Sequence, residues 1–280
     1  MLPESLPIRL SQAQLNTLEA CPRLFQHLHL DQLGSPVPPE QQESLTWGSQ
    51  FHLLMQQQAL GLPVEALGDD PLQRCLQALR TKAPDIFQPI AAEAGIFRDS
   101  EHSRTLGFSP TGSPTEEPVF LLTVVYDLLV AGPQTAEILD WKTYPRPQNA
   151  DWLARHWQTR LYLYVLAETS QYQPAQIAMT YWFVQGSSAG DRPEPESIRF
   201  PYSAELHAQT HRDLHQLLER SLRWLEAYQE GQDFPQVNES AGRCRRCQFA
   251  VRCDRAFRKA GDRPAESWRL DLSEIQEIPL

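Results

Sequence analysis

The sequence predicts an α/β domain with a mixed central sheet, in the order helix, strand, strand, strand, helix, strand, and with further helices at both ends. Two apolar runs rich in β-branched and aromatic residues flank residues 131–134 and predict a β-hairpin over 119–142. Apolar residues at helical spacing on both sides of this hairpin predict the helices. With 280 residues, 41% of them hydrophobic and 21% charged, the chain can bury a substantial core.

Helical patterns come before the hairpin. Residues 11–30 are predicted to be helical with a break at Cys21-Pro22, because proline disfavours helix in the residue that precedes it. Residues 31–44 form a predicted loop, and a helix over 46–60 carries His52. A further helix over 71–82 carries Cys75, which we interpret as a small core residue. Residues 100–106 are the predicted first strand.

The elements after the hairpin follow the same two periodicities. A helix is expected from Asn149 or Asp151 to about residue 168, and its apolar positions recur at helical spacing. Strands are predicted over 176–184 and, at an edge, over 197–202. A long leucine-patterned helix is predicted over 204–230.

Charge and the N-terminal residues restrict the class of protein. The net charge of −10 disfavours a uniformly nucleic-acid-binding surface, but residues 243–259 hold seven Arg or Lys and a single acid, Asp254. This basic stretch is equally compatible with a phosphate-binding surface and with an ordinary solvated one. The N-terminal residues lack the basic and apolar regions of a signal peptide, and no apolar run is long enough to span a membrane. We therefore expect a cytoplasmic protein with no membrane partner.

Two acids and a lysine lie in the predicted hairpin. Asp127 interrupts the first strand, where burial disfavours a lone charge. Asp140 and Lys142 lie two residues apart on the second strand, so they point to one face and Trp141 to the other. Such a set suits a hard divalent cation and an activated water. The alternative is a structural ion pair at a strand end.

The five cysteines form a second pattern. An odd count without a secretion signal makes a disulfide framework a poor explanation. Cys244, Cys247 and Cys253 have the spacing Cys-x2-Cys-x5-Cys, and Cys21 is the candidate for a fourth thiolate. Four thiolates suit a tetrahedral zinc ion or a cubane iron–sulfur cluster. A zinc site could instead use His27 or His29.

The hairpin acids and lysine resemble the core of the PD-(D/E)XK nuclease superfamily, in which an Asp ends one strand and Asp/Glu-x-Lys ends the next. Two further segments resemble its RecB-like branch: Gln158 and Tyr162 match Gln-x-x-x-Tyr, and Gly48 and His52 match Gly-x-x-x-His. Taken alone, the first could be an incidental polar pair on a helix, and the second an ordinary structural histidine.

This resemblance implies a restriction-endonuclease-like αβββαβ core and assigns roles to its residues. Asp127 and Asp140, assisted by His52, would bind Mg²⁺ or Mn²⁺, and Lys142 would orient the attacking water. Gln158 and Tyr162 would steady the substrate. Glu101 and Glu93 compete as the acidic residue of the first strand. Members of the family usually have Gly where this chain has Val124, so a narrowed groove is one expectation.

The cysteine spacing resembles the iron–sulfur nucleases of the AddB type and the CRISPR-associated exonucleases. The resemblance implies that Cys21, Cys244, Cys247 and Cys253 hold a [4Fe–4S] cluster that joins the two ends of the chain. Residues 1–280 would then form one nuclease domain with its core at 46–184. The N-terminal segment 1–45 would pack together with the C-terminal helix and cysteines at 203–260.

The expected function is a metal-dependent DNA exonuclease that acts on single-stranded ends, in DNA repair, recombination or CRISPR-type processing. Trp157 is expected to stack on bases. The chain has no Gly-x4-Gly-Lys-Ser/Thr motif, so a helicase or other repair or CRISPR protein is the expected partner. The alternatives are a non-catalytic DNA-binding iron–sulfur subunit of such an assembly and a zinc-stabilised interaction protein with an inert nuclease-like fold.

Overall fold

The structure is a computed structural model that describes residues 7–34, 39–64, 70–88, 95–110, 117–184 and 193–255. The strands are β1 (Ile8–Leu10), β2 (Phe97–Phe108), β3 (Phe120–Ala131), β4 (Ala136–Lys142), β5 (Ile177–Phe183) and β6 (Glu196–Pro201). The α-helices are α1 (Gln12–Ala20), α2 (Pro22–Phe25), α3 (Pro39–Ala59), α4 (Asp70–Lys82), α5 (Asp151–Arg155), α6 (Trp157–Glu168) and α7 (Ala204–Gln229). The predicted α/β fold with a mixed sheet is confirmed.

Strand β3 is the centre of the sheet. Strand β2 pairs antiparallel along one of its edges. On the other edge, β1 pairs parallel at Phe120 to Leu122, and β4 pairs antiparallel from Leu128 to Ala131. Strand β5 continues the sheet parallel to β4, and β6 closes it antiparallel to β5. Residues 123–127 of β3 therefore lie in a gap between β1 and β4 on one edge.

Helices cover both faces of the sheet, as a mixed sheet with buried central strands requires. On one face the helices α1, α6 and α7 pack on the sheet, and the core includes Leu15, Leu18, Tyr126, Ile138, Trp157, Leu161, Tyr181, Leu214 and Leu218. On the other face α3 and α4 form a second core with Phe51, Leu54, Leu72, Leu76, Leu79, Leu128, Leu139 and Trp141. The two lists have no residue in common.

The structure corrects several predicted boundaries. Helix α3 begins at Pro39, inside the predicted loop. The single helix predicted up to residue 168 is two helices, because His156 is extended and caps α6. Strand β1 was not predicted. The break at Cys21-Pro22 is confirmed, since Cys21 is extended and Pro22 opens α2, which continues as a π-helix over Gln26–Leu30. Glu93 lies outside the described residues.

The chain divides into two compact units, Met1–Pro235 and Gln236–Leu280. Within the first unit, α2 and the π-helix are tied to the segment after α7. Gln26 Nε2 donates to Asp233 Oδ1 at 2.7 Å, and its Oε1 accepts from Phe234 N at 2.7 Å. The backbone N–H of Arg23 donates to Pro235 O at 3.1 Å.

The second unit, as far as it is described, contains two short 3₁₀ turns, Glu239–Ala241 and Arg243–Arg246. None of the five cysteines, all of which lie in described segments, forms a disulfide. Among the described residues, no helix has both the length and the apolar character that crossing a membrane requires.

Candidate active site

The site lies where β3 and β4 part. Their pairing runs from Ala131 and Ala136 to Leu128 and Leu139 and stops before Asp127 and Asp140, which would be the next pair. Asp127 Oδ2 instead accepts a hydrogen bond from the backbone N–H of Trp141 at 2.7 Å. A side-chain carboxylate therefore bridges the two strands at the opening.

The backbone of β3 is irregular at the same point. Tyr126 packs into the core on the α6 face, whereas Leu128 packs into the core on the α3 face. Regular alternation would place residues two apart on one face, so the alternation shifts at Asp127. On the other edge, pairing with β2 skips Asp127 and Glu101. The carboxylate of Asp127 is thereby placed between the two helical layers.

Asp140, Lys142 and Gln158 form a closed triangle of contacts. Lys142 Nζ lies 2.6 Å from Asp140 Oδ1. It also donates to Gln158 Oε1 at 2.9 Å, and Gln158 Nε2 donates to Asp140 Oδ2 at 2.7 Å. Burial raises the pKa of Asp140 and the charge of Asp127 raises it further, against the opposing effect of Lys142. The triangle holds a buried carboxylate next to an ammonium group.

His52, Glu101 and Asp127 form a group suited to a metal ion. One ligand atom from each lies within 4.8 Å of the other two, and this is the only group of three or more such residues in the described chain. His52 Nδ1 lies 3.2 Å from Asp127 Oδ1. Burial lowers the pKa of His52, but the hydrogen bond to Asp127 and its charge raise it, so the net shift is upward. Two carboxylates and an imidazole can ligate a divalent cation.

Gly48 explains how α3 comes close enough for His52 to reach Asp127. A Cβ atom at Gly48 would lie 3.0 Å from Thr143 Oγ1, directly after β4. Glycine therefore allows the helix to pass the end of this strand closely. His52 follows four residues later on the same helix face. It reaches the gap from the α3 face, whereas Gln158 reaches it from α6 on the opposite face.

Glu101 is the residue that sequence reasoning could not separate from Glu93. Its backbone is left-handed, with φ of 54°. A non-glycine residue in this conformation costs of order 1–3 kcal/mol and persists where its surroundings require it. Burial raises the pKa of Glu101, and the charge of Asp127 raises it further. The sequence carried no signal for this choice, because the register of β2 against β3 is a property of the tertiary structure.

Tyr162 lies beneath the triangle. Its hydroxyl bonds to the side chain of Gln158 and to the backbone of Val125, and burial, followed by the charges of Asp140 and Asp127, raises its pKa. Its ring packs edge-on against Tyr126, with centroids 5.4 Å apart. Tyr162 is therefore a neutral phenol that supports Gln158.

Two expectations about side chains are corrected. Trp157 is 0% exposed and its ring lies under the guanidinium of Arg160 at 4.3 Å, so it cannot stack on bases. Its apolar helical spacing reflects burial in the core. Val124 is also buried, in the core on the α6 face, so its side chain does not line an open groove.

The cysteines lie in both units, and none of them belongs to the metal-ligand group of His52, Glu101 and Asp127. Cys21 is half-buried at the start of α2, and Cys244, Cys247 and Cys253 are half-buried in the second unit. Sulfurs around one tetrahedral zinc ion lie about 3.8 Å apart, given Zn–S bonds of 2.3 Å. The three thiols of the second unit do not come together to within 4.8 Å. As placed, these three thiols lie further apart than the ligands of one tetrahedral zinc ion, so binding zinc would require them to approach one another.

Fold and site together define a class: an α/β hydrolytic nuclease with acidic and lysine side chains at a gap in its sheet. The chain belongs to the PD-(D/E)XK nuclease superfamily, whose family model matches residues 9–254. This family uses divalent metals. Asp127, Asp140 and Lys142, whose sequence pattern resembles its Asp and Asp-x-Lys motif, meet at the gap. No curated protein matches the sequence significantly.

A solved structure shares the fold at low sequence identity. This crystal structure, described as "Putative exonuclease" from Eubacterium rectale, has a TM-score of 0.52 and 11% identity, covering 90% of each chain. At that identity the likeness shows the fold alone. A crystal structure of SSO0001 has a TM-score of 0.38 and 12% identity, covering 92% of this chain and 91% of the other.

Proposed function

We propose that this chain is a Mg²⁺- or Mn²⁺-dependent DNA exonuclease that hydrolyses single-stranded ends. The observation that carries the proposal is the position of two groups at one gap in the sheet. His52, Glu101 and Asp127 offer metal ligands, and the Asp140–Lys142–Gln158 triangle adjoins them. The charge of Asp127 acts on His52, Glu101 and Asp140, which places all four groups within electrostatic reach.

The donor set fits a hard cation. Asp140 Oδ1 is buried and receives no aligned hydrogen bond from the described residues, although the Lys142 ammonium lies beside it. This oxygen and the group of His52, Glu101 and Asp127 would hold the metal ion. When bound, the ion polarises the phosphodiester and lowers the pKa of a water ligand.

Lys142 acts on the substrate from a fixed position. An ammonium group has three N–H donors. One bonds to Gln158 Oε1, and the charge is paired with Asp140 Oδ1 at 2.6 Å. A remaining N–H donates to a phosphate oxygen or to the attacking water, where charge develops. Because Gln158 bonds to both Lys142 and Asp140, it holds the ammonium in place before the substrate arrives. Such preorganised donors cost no reorganisation during the reaction.

We further propose that Cys21, Cys244, Cys247 and Cys253 ligate a [4Fe–4S] cluster, with zinc as the alternative. The spacing of these four residues supports this, because it resembles that of the iron–sulfur nucleases and four thiolates are the ligand set of such a cluster. Brown protein with iron and sulfide supports the cluster, and colourless protein with stoichiometric zinc contradicts it.

The nuclease assay uses end-labelled linear single-stranded DNA and circular single-stranded DNA with Mg²⁺ or Mn²⁺. We expect the linear DNA to be degraded and the circular DNA to persist. Lys142→Ala should lower the rate roughly 10²–10³-fold, as removal of a donor that stabilises transition-state charge does. Asp140→Asn should also lower the rate, because it removes a charged ligand of the metal ion. Cleavage of the circle would contradict exonuclease action.

A control variant is available on the same strand. Glu137 lies three residues before Asp140 and bonds to Thr180 and Arg199, away from the gap. Glu137→Gln should retain the wild-type rate. If wild type, Asp140→Asn and Lys142→Ala all bind DNA but none degrades it, the chain is a non-catalytic DNA-binding protein.

A further inference from the structure

Two exposed aromatic side chains lie close in sequence to the residues of the triangle. Neither belongs to the triangle or to the metal group. Tyr144 is 38% exposed and Trp152 is 44% exposed. Tyr144 follows Lys142 by two residues, and Trp152 belongs to α5, directly before the helix that carries Gln158. Large aromatic rings usually bury most of their surface, so two exposed ones beside a catalytic lysine are informative.

The ring of Tyr144 is held in place while it remains exposed. It contacts the buried ring of Phe183 at 5.7 Å and 68°. Phe183 pairs with Lys142 across β4 and β5, so the support of Tyr144 is fixed relative to the catalytic strand. Pro145 follows Tyr144 and restricts its backbone to extended conformations. Tyr144 is therefore positioned before any ligand binds.

Trp152 is held in a similar way. Its ring contacts His156 at 5.8 Å and 89°. His156 is the N-cap of α6, two residues before Gln158. Trp152 is thus supported by the residue that begins the helix on which the triangle depends.

The charge of Lys142 acts on Tyr144 and on His156, the residue that contacts Trp152. Burial raises the pKa of Tyr144, the charge of Lys142 lowers it and that of Asp140 raises it. Burial lowers the pKa of His156, and Lys142 lowers it further. Charges act appreciably only over distances of the order of the screening length, about 8–10 Å at moderate salt. Tyr144 and the support of Trp152 therefore lie near the catalytic ammonium.

We propose that Tyr144 and Trp152 are a stacking platform for the bases of single-stranded DNA next to the scissile phosphate. The proposal rests on the proposed nuclease function and names the residues that select the substrate. Base–aromatic stacking tolerates any sequence, because every base has a π face. In a duplex those faces are already stacked on neighbouring bases, so the platform favours single strands. Rings held beforehand lose little freedom on binding.

The test measures binding without cleavage. In the Asp140→Asn background, the Kd for a fluorescent oligothymidylate is measured by anisotropy with Mg²⁺. We expect Tyr144→Ala and Trp152→Ala each to weaken binding roughly 5- to 150-fold, the range that corresponds to loss of one base–aromatic stack. Tyr144→Phe and Trp152→Phe keep a ring and should bind within a few-fold of the parent protein. Unchanged affinity in both alanine variants would overturn the proposal.

The matched control is Phe97→Ala. Phe97 is also an exposed aromatic, but it begins β2 and its ring contacts His102. This variant should bind the oligonucleotide like the parent protein. Melting temperatures of all variants should stay close to that of the parent, because the altered rings are exposed.

A blunt duplex of the same length separates stacking from general surface effects. The alanine variants should bind the duplex like the parent protein, and an equal loss for duplex and single strand would overturn the proposal. The outcome is separable from that of the nuclease assay. If wild type cleaves no DNA with Mg²⁺ or Mn²⁺, but the two rings still govern single-strand binding, the proposed function fails and the platform stands.

Discussion

Asp127 Oδ2 accepts the backbone N–H of Trp141 at 2.7 Å, across the point where β3 and β4 separate. This bond occupies one carboxylate oxygen and leaves Oδ1 for His52 and a metal ion. Trp141 itself is buried in the core of the α3 face. The acid that we propose as a metal ligand is therefore fixed to a residue of the hydrophobic core, which orients its carboxylate.

We predict that Glu101→Gly separates stability from activity. Glycine adopts the left-handed backbone at φ 54° without the steric cost that a side chain brings. Removing this cost should raise the free energy of unfolding by about 1 kcal/mol or more. The variant also loses one carboxylate of the metal group. Thermal unfolding should show a higher melting temperature, and the nuclease assay should show a lower rate that partly recovers at high Mg²⁺.

Gln32→Gly is the control for this prediction. Gln32 has a similar φ of 55° and lies outside the metal group. Its replacement should raise the melting temperature without loss of activity. Full activity in Glu101→Gly would remove Glu101 from the metal site.

Gly48→Ala should lower activity through His52. The new Cβ would lie 3.0 Å from Thr143 Oγ1, so α3 or Thr143 must shift. The double variant Gly48→Ala/Thr143→Ala removes the hydroxyl and should recover activity. In that background alanine also favours the helix by about 1 kcal/mol over glycine. Rates and melting temperatures of both single variants and the double variant measure the coupling; equal rates throughout would contradict it.

Mg²⁺ should stabilise the folded protein more strongly as the pH rises. The pKa of Asp140 is raised in the folded protein, so the folded state binds more protons than the unfolded state above the ordinary pKa of Asp. Stability of the metal-free protein therefore falls as pH rises through the raised pKa. Metal binding requires the ionised carboxylate and is favoured at the higher pH.

Melting temperatures with and without Mg²⁺ from pH 6 to pH 8.5 check this prediction. In wild type, the increase in melting temperature on addition of Mg²⁺ should be larger at pH 8.5 than at pH 6. Asp140→Asn has no proton to lose at this position and should give a flatter profile. An increase that is independent of pH in wild type would be inconsistent with Asp140 as a ligand.

Cys21→Ala should remove iron from the protein. The proposed cluster joins residues more than two hundred positions apart, so its loss should also lower the melting temperature. The control is Cys75→Ala, because Cys75 is buried in the core of the α3 face. That variant should lose stability through its cavity and retain its iron. Stoichiometric iron in Cys21→Ala would exclude Cys21 as a ligand.

Local sequence patterns predicted the parts of this fold that depend on local physics. Alternation along the hairpin predicted that Asp140 and Lys142 share a face opposite Trp141, and the structure agrees. The break at Cys21 followed from Pro22. The break at His156 has no such local signal. It depends on distant Asn16, whose Oδ1 accepts from Trp157 N at 3.3 Å.

Other features needed the tertiary structure. Strand β1 has three residues and exists through its pairing with β3, so its own pattern was too short to detect. Helical spacing marked Trp157 as apolar, but spacing alone does not distinguish a buried face from a binding surface. The position of Glu101 beside Asp127 accompanies a left-handed backbone conformation that residue types do not encode.

The opening in the sheet also has a consequence for folding. His52 and Gln158 come from helical layers whose cores have no residue in common. His52 contacts Asp127, and Gln158 bonds to Asp140 at the same gap. A chain with only one layer assembled would have either the imidazole or the amide, and never the complete set. In the proposed nuclease, cleavage of DNA would be restricted to molecules in which both helical layers have folded, so activity would report completed assembly.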